Sequence, residues 1–390
     1  MKLMGNQKSN RLFEKFSDEC IQCGICLNTC DLLNDLGLTP GEIAQAICQD
    51  QVTDDMVAMV QRCALCGHCG QDCLVNLEPP DMIKAARQIL IQKGRINPND
   101  YDVMLVDREW NFFSIYRDTY DIRFDDLFTS QAETLFFPGC TLACYSPELT
   151  RAAFGWLKGT GLEMGFSDLC CGKPLESIGL TAAADHYLDR LRQQLKDSGA
   201  RKVITACPNC EAHLKAYLPG IEIQSLYLLL LQAGMRLEGE ARLTFHDSCP
   251  DRQSGKNPAY VRQLLAGYPQ VEMASHGPNT ICCGSGGIVS MVDPDLCTSR
   301  ARQRMAEFAE TGAETCITAC MACSHRLGRI SQPGQVRHCL ETVFGIKVDY
   351  ERVERNTQAM WEGGQGEINI QRLAQTGILP ANQETSHANA

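Results

Sequence analysis

The sequence predicts a multidomain α+β protein, with an all-α N-terminal module followed by two tandem α/β domains whose sheets are mostly parallel. Three observations lead there. A four-cysteine motif occurs twice near the N-terminus, with helical patterning between its copies. A different cysteine pattern occurs twice in the rest of the chain at a nearly constant offset. Around that second pattern short β-rich runs alternate with helical stretches, the order expected of a parallel sheet.

The N-terminal module comes first. Cys20, Cys23, Cys26 and Cys30 form one motif and Cys63, Cys66, Cys69 and Cys73 the other, both C-x2-C-x2-C-x3-C. Three thiolates at two-residue gaps can wrap three iron corners of one cubane, and the fourth Cys of such pairs usually ligates the other cluster. The spacing therefore predicts two cubane [4Fe–4S] clusters. One takes Cys20, Cys23, Cys26 and Cys73; the other takes Cys63, Cys66, Cys69 and Cys30. Zinc is the competing metal, but it favours two C-x2-C knuckles separated by a longer loop. The Pro that usually follows the fourth Cys is missing, with Asp31 and Leu74 in its place.

Between the motifs, Thr39-Pro40-Gly41-Glu42 is a capping box with Pro at the first helical position. Ile43, Ala46 and Ile47 then recur at helical spacing. Thr53 opens a second helix with Val57 and Val60 on one face, and 81–93 reads as a third, stopped at Gly94. Helices in the spacer point to a helical ferredoxin module rather than a compact β-containing one. Gly24, Gly67 and Gly70 fit close backbone approach to a cluster, with N–H groups toward its sulfurs. The stretch 97–130 holds Trp110, Phe112, Phe113, Tyr116, Tyr120, Phe124 and Phe128. It reads as a connector packing across both halves, with a partner-docking surface as the alternative.

The repeat follows. Its first copy is Cys140, Cys170-Cys171-Gly172 and Cys207-Pro-Asn-Cys210; its second is Cys249, Cys282-Cys283-Gly284 and Cys320-Met-Ala-Cys323. The offsets run from 109 (249 against 140) to 113 (323 against 210). Two homologous domains of about 110 residues each are expected. Apolar β-rich runs at 135–137, 203–206, 243–245 and 316–319 lead into cysteine turns, with helical stretches such as 182–197 and 295–310 between them. Sites in such sheets form beyond the carboxyl ends of strands, where Cys140, Cys207, Cys249 and Cys320 fall. The expected division is 1–97 helical module, 98–133 connector, 134–240 and 241–345 the two α/β domains, and 346–390 a C-terminal extension.

Composition narrows the class. The chain has 390 residues and 23 cysteines. It is far longer than secreted disulfide scaffolds of roughly 80 residues. A hydrophobic content of 44% argues against global disorder. A net charge of −11 argues against nucleic acid as a partner. Residues 1–14 are polar and lack an apolar signal core. The longest aliphatic run, 226–231, is far below the ~20 residues of a spanning helix. A soluble, cytoplasmic protein is expected, any membrane association running through a partner. Thiols in a reducing compartment suggest metal rather than disulfides. There is no G-x-G-x-x-G and no P-loop, and Gly284-Ser285-Gly286-Gly287 reads as a glycine loop around a cluster. The chain is thus expected to carry no flavin or NAD, and electrons must come from another protein.

The pattern C-xn-C-C-G-xn-C-x-x-C, found twice, resembles the cysteine-rich (CCG) domains of heterodisulfide reductase. With the two upstream cubane motifs, the layout of residues 15–330 looks like the D-type component of that enzyme. It is also similar to the iron–sulfur subunits of anaerobic glycerol-3-phosphate dehydrogenase and glycolate oxidase. The resemblance implies two noncubane [4Fe–4S] clusters of five thiolates each. One would use Cys140, Cys170, Cys171, Cys207 and Cys210; the other Cys249, Cys282, Cys283, Cys320 and Cys323. It implies these ten cysteines as the catalytic set of a disulfide-reducing enzyme, or alternatively as an electron relay between a flavin dehydrogenase and a quinone or other carrier. The implied partners are a flavoprotein or other redox subunit, a membrane cytochrome or quinone-linked protein, and a small disulfide. Cys48, Cys144, Cys297, Cys316 and Cys339 remain as small hydrophobes, with Cys144 the one nearest a cluster motif. His246 and Lys173 are candidate proton donors to a leaving thiolate, and His68 sits where it could tune a cluster.

Overall fold

In the computed structural model residues 2–379 are described, with side chains from Ser9 onward; the polar tail 383–390, expected to fray, lies outside them. Four strands, β1 (Thr134–Phe137), β2 (Met164–Phe166), β3 (Lys202–Thr205) and β4 (Glu222–Ser225), form one sheet in the order β2-β1-β3-β4. Every pairing in it is parallel. β5 (Leu243–His246), β6 (Thr315–Thr318) and β7 (Val336–His338) form a second parallel sheet in that order. All four residues of β1, β5 and β6 are buried, as suits strands covered on both faces.

The repeat is visible in the register. Thr134 pairs with Lys202 in the first sheet, and Leu243 with Thr315 in the second. β5 begins 109 residues after β1 (243 against 134), and β6 113 after β3 (315 against 202). The place of β2 is taken in the second copy by a single parallel bridge from Leu243 to Gln270. The second sheet therefore repeats the topology of the first with one strand reduced to a bridge.

The N-terminal module is helical. Helices Lys2–Glu19, Pro40–Cys48, Asp54–Arg62 and Pro79–Gln92 pack around Phe13, Phe16, Ile43, Val60 and Met82. The capping box forms as its sequence dictates: Thr39 N–H donates to Glu42 Oε2 at 2.7 Å, and Glu42 N–H donates to Thr39 Oγ1 at 3.3 Å. The third expected helix starts two residues earlier than its apolar pattern, because Pro79 and Pro80 occupy the first turn, where a missing N–H costs nothing. The first helix is not evident from a polar N-terminus; two fully buried aromatics, Phe13 and Phe16, anchor it. In the α/β half, the stretch 182–197 divides into Thr181–Tyr187 and Asp189–Ser198.

The connector packs into both halves. Tyr101, Leu105 and Val106 enter the core of the helical module, while Ile115, Tyr116 and Phe124 enter the α/β core. Two C-terminal helices, Tyr350–Ala359 and Gly363–Gln375, close over it. Tyr120 Oη donates to Asn356 O at 2.6 Å, and the Arg372 guanidinium lies 4.2 Å from the Trp110 ring centroid. Among the described residues no helix is long and apolar enough to cross a membrane.

Candidate metal centres

The two C-x2-C-x2-C loops share an unusual backbone. Gln22 and Leu65, at matching positions, have φ of 53° and 54°, and Gly24 and Gly67 have φ of 73° and 74°. Left-handed non-glycine residues cost on the order of 1–3 kcal/mol each and persist where the surroundings impose them. The coiling brings the first three cysteines of each motif to the wall of one cavity, with Cys23 at an exposed edge. Gly24 is required by its dihedral rather than by crowding, since a Cβ there would meet nothing within 4 Å.

The fourth cysteines cross over. Cys20, Cys23, Cys26 and Cys73 line one cavity, and the charges of Cys20, Cys23 and Cys73 all act on Cys26. Cys30, Cys63, Cys66 and Cys69 line a second cavity of about 220 Å³. Cys69 borders both. Backbone amides turn toward the thiols: Leu65 N–H donates to Cys63 Sγ and Leu77 N–H to Cys73 Sγ, each at 3.4 Å. Burial pushes the Cys26 and Cys30 thiols up to about 11. A metal centre binds thiolate, not thiol, so a strongly cationic occupant is what would keep such buried groups ionised. An all-sulfur donor set of this kind suits iron–sulfur chemistry.

Each α/β domain gathers its five cysteines beyond the carboxyl ends of its strands. In the first, Cys140 follows β1 and Cys207 caps helix Pro208–Tyr217 after β3. Cys170 Sγ lies 3.9 Å from Cys140 Sγ, and Cys171 contacts both Cys170 and Cys210. In the second, Cys249 follows β5, and Cys320 caps helix Met321–Gly328 after β6. Cys283 Sγ lies 3.2 Å from Cys323 Sγ, and Cys282 contacts Cys249 and Cys283. Gly284 N–H donates to Cys282 Sγ at 3.3 Å.

The four groups also touch one another in sequence. The charge of Cys26 reaches Cys69. Cys66 and Cys282 line the same cavity and act on each other's ionisation, so the helical module and the second α/β domain meet there. Cys207 and Cys320 are near enough to act on each other's ionisation, and Asn209 Nδ2, beside Cys207, lies 3.9 Å from Cys320 Sγ, so the two α/β domains meet here. Three arginines hold this arrangement. Arg87, fully buried, donates to the carbonyls of Val60, Gln61, Cys63 and Ser177. Arg252 donates to Cys66 O at 3.1 Å and Thr280 O at 2.7 Å. Arg300 lines the second cavity, and the charges of Cys282, Cys66, Cys30 and Cys63 act on it. These residues carry no motif of their own and were not legible in the sequence.

The glycine loop after Cys282-Cys283 has Gly284 N–H on Cys282 Sγ, and it also meets the helical module. It is a docking seam for the helical module: a Cβ on Gly286 would lie 2.3 Å from Ala64 O. Lys173 is held by Glu176, with Nζ 2.9 Å from Oε2. Burial opposes ionisation of Glu176, but His213, Lys173 and Lys84 outweigh it and hold the carboxyl well below its usual range. Cys144 turns to the connector, its thiol 3.6 Å from Phe113 O, and burial pushes it up to about 12. Cys297, Cys316 and Cys339 are buried and Cys48 is exposed. A ring nitrogen of His246 lies within 4.8 Å of the sulfurs of Cys283 and Cys323.

Comparison with known proteins fits this geometry. Residues 16–77 match the 4Fe-4S dicluster domain, and residues 134–215 and 243–328 each match the cysteine-rich domain, CCG. The chain carries one 4Fe-4S dicluster domain and two domains of the CCG family, the make-up of an electron-transferring iron–sulfur protein. The chain is 25% identical over 365 residues to the D-type component of the dihydromethanophenazine:CoB–CoM heterodisulfide reductase of Methanosarcina barkeri, covering 80% of this chain and 88% of that one. It is 27% identical over 198 residues to the B-type component of the fumarate reductase (CoM/CoB) of Methanothermobacter marburgensis, covering 48% and 40%. It is 22% identical over 390 residues to the glycolate oxidase iron–sulfur subunit of Escherichia coli, covering 83% and 92%.

Proposed function

We propose that this protein is an iron–sulfur oxidoreductase subunit that takes electrons at the Cys20, Cys23, Cys26 and Cys73 site and reduces a disulfide where the two CCG sites face each other. The observation that supports this is the adjacency of the two cysteine groups, with Asn209 Nδ2 3.9 Å from Cys320 Sγ and Cys207 near enough to act on Cys320. We assign each five-cysteine set as the ligand set of one noncubane cluster. Bound there, the clusters supply one-electron chemistry, so a pair of them matches the two electrons a disulfide requires. The S–S bond breaks, each sulfur takes one electron and one proton, and two thiols result.

The chain's own residues set the route. Cys30, Cys63, Cys66 and Cys69 stand between the outer site and the second CCG site, and Arg87, Arg252 and Gly286 fix that spacing. At the outer site Cys23 is exposed, and Ile21 and Leu74 beside it are 58% and 65% exposed. This apolar surface suits delivery of electrons by a flavoprotein or another redox subunit. One observation favours a relay instead. Cys170, Cys171, Cys210, Cys282, Cys283, Cys320 and Cys323 are buried, which suits conduction to a quinone-linked or other carrier without substrate entry.

The experiment is anaerobic turnover of the reduced, reconstituted protein with small and CoM–CoB-type disulfides, beside Cys282→Ala. Thiol release by the wild type and its loss in the variant, with the cubane EPR signals retained, are expected. No thiol release, with continued oxidation of a flavoprotein partner, would leave the relay.

A further inference from the structure

We propose that His246 donates a hydrogen bond from Nε2–H into the second CCG site, and that this donor makes the two CCG sites electrochemically unequal. The inference rests on the five-cysteine assignment above.

His246 ends β5 and is 2% exposed. Its Nδ1 lies 3.1 Å from Arg304 Nε. A guanidinium can only donate, so Nδ1 accepts. In a neutral imidazole the other nitrogen then carries the proton. Arg304 cannot swing away. It is fully buried, and its other nitrogens bond Ser275 O at 2.6 Å, Phe245 O at 3.2 Å and the Glu307 carboxylate. Nε2 is buried and has no partner among the described residues. With Nδ1 spent on Arg304, it is the nitrogen left to serve the Cys283 and Cys323 sulfurs that His246 approaches.

The same tautomer excludes the obvious rival, a mixed Cys/His metal site. A metal-bound Nε2 needs its lone pair, which would place the proton on Nδ1 and set it against the Arg304 N–H. The trio is therefore a thiolate pair with an N–H donor. The first CCG site lacks this device. Its matching position is Phe137, buried and apolar. Its buried histidine, His213, is backed by a carboxylate instead, with Nδ1 3.4 Å from Glu176 Oε2. That arrangement puts a proton on Nδ1 and aims it at Glu176, so the donor fixed by geometry there serves the carboxylate and not the cysteines. Hydrogen bonds to cluster sulfurs raise reduction potential, so the second CCG site, beside Cys66, is the one that holds an electron more tightly.

The test uses the anaerobically reconstituted full chain and EPR-monitored redox titration, with pulsed EPR in D2O on histidine-¹⁵N-labelled protein. In the wild type an exchangeable deuteron couples to one CCG signal, and the ¹⁵N coupling is too weak for a direct bond. In His246→Phe that deuteron is lost and the potential of one CCG signal falls by at least 59 mV, a tenfold change in a one-electron equilibrium. Iron content and the cubane signals stay unchanged. His246→Gln, which keeps an N–H donor, retains most of the potential. A strong ¹⁵N coupling, or a potential unmoved in His246→Phe, would overturn the proposal. If Cys283→Ala and Cys323→Ala both leave the two CCG signals intact, the cysteine assignment fails, and this inference with it. The wild-type spectra need no variant to fold.

Discussion

Arg87 shows how much the structure rests on single side chains that no motif marks. Its guanidinium binds four backbone carbonyls, three in the segment leading into the second cubane motif and one, Ser177, in the first α/β domain. Arg87→Met would leave these acceptors buried and unpaired. A loss of about 3–5 kcal/mol in denaturant stability is expected. Thr39→Ala removes only one side of a capping box and should cost about 1 kcal/mol. At this scale the grouping of the N-terminal cysteines into two cavities was legible from the spacing of their motifs, while the five-cysteine sets came from the family resemblance. Arg87, Arg252 and Arg300 were not, because their partners lie far off in sequence. An isolated arginine on a helix reads as a solvated charge until the fold brings carbonyls around it. His246 was visible as a candidate, but its tautomer depends on Arg304, 58 residues away.

Elements followed the sequence where the local signal and the tertiary environment agreed. The Thr39 and Thr53 caps each start a helix, and the β-rich runs before Cys140, Cys207, Cys249 and Cys320 are strands of parallel sheets. The pattern misled where packing decided. Lys2–Glu19 is stabilised by Phe13 and Phe16 against the module core, not by an amphipathic signal. Packing also adds what no pattern shows at the glycine loop, where Gly284 meets Cys297 and Gly286 and Gly287 meet the backbone of Ala64 and Cys63, which arrives from a distant segment. Gly286→Val is expected to wedge that seam apart. Iron content should persist, while electron passage from the Cys66 site to the second CCG site slows at least tenfold in freeze-quench EPR. An unchanged rate would separate the loop from electron passage.

For the whole molecule, the repeat matters more than any single element. Two parallel sheets present their cysteine turns at equivalent positions, and the helical module packs against both copies, reaching the first through Arg87 with Ser177 and Lys84 with Glu176, and the second through Arg62 with Asp293 and Arg252 with Cys66. The sequence announced both copies but not which one supplies a cysteine to the module's second cavity; Cys282 of the second copy does. The C-terminal helices were also unforeseen; they stabilise the connector through Tyr120, Trp110 and Arg372. Deleting 350–390 should therefore expose the aromatic connector and lower thermal stability, read by calorimetry, while the cubane signals remain.

The central claim is that cysteines of four separate sets, and no others, hold the redox centres. The most direct test is iron, acid-labile sulfide and zinc analysis of the anaerobically reconstituted chain, with spin quantitation. About sixteen irons and a matching amount of sulfide per chain are predicted for four [4Fe–4S] centres. Stoichiometric zinc, or only about eight irons with the CCG signals missing, would contradict it.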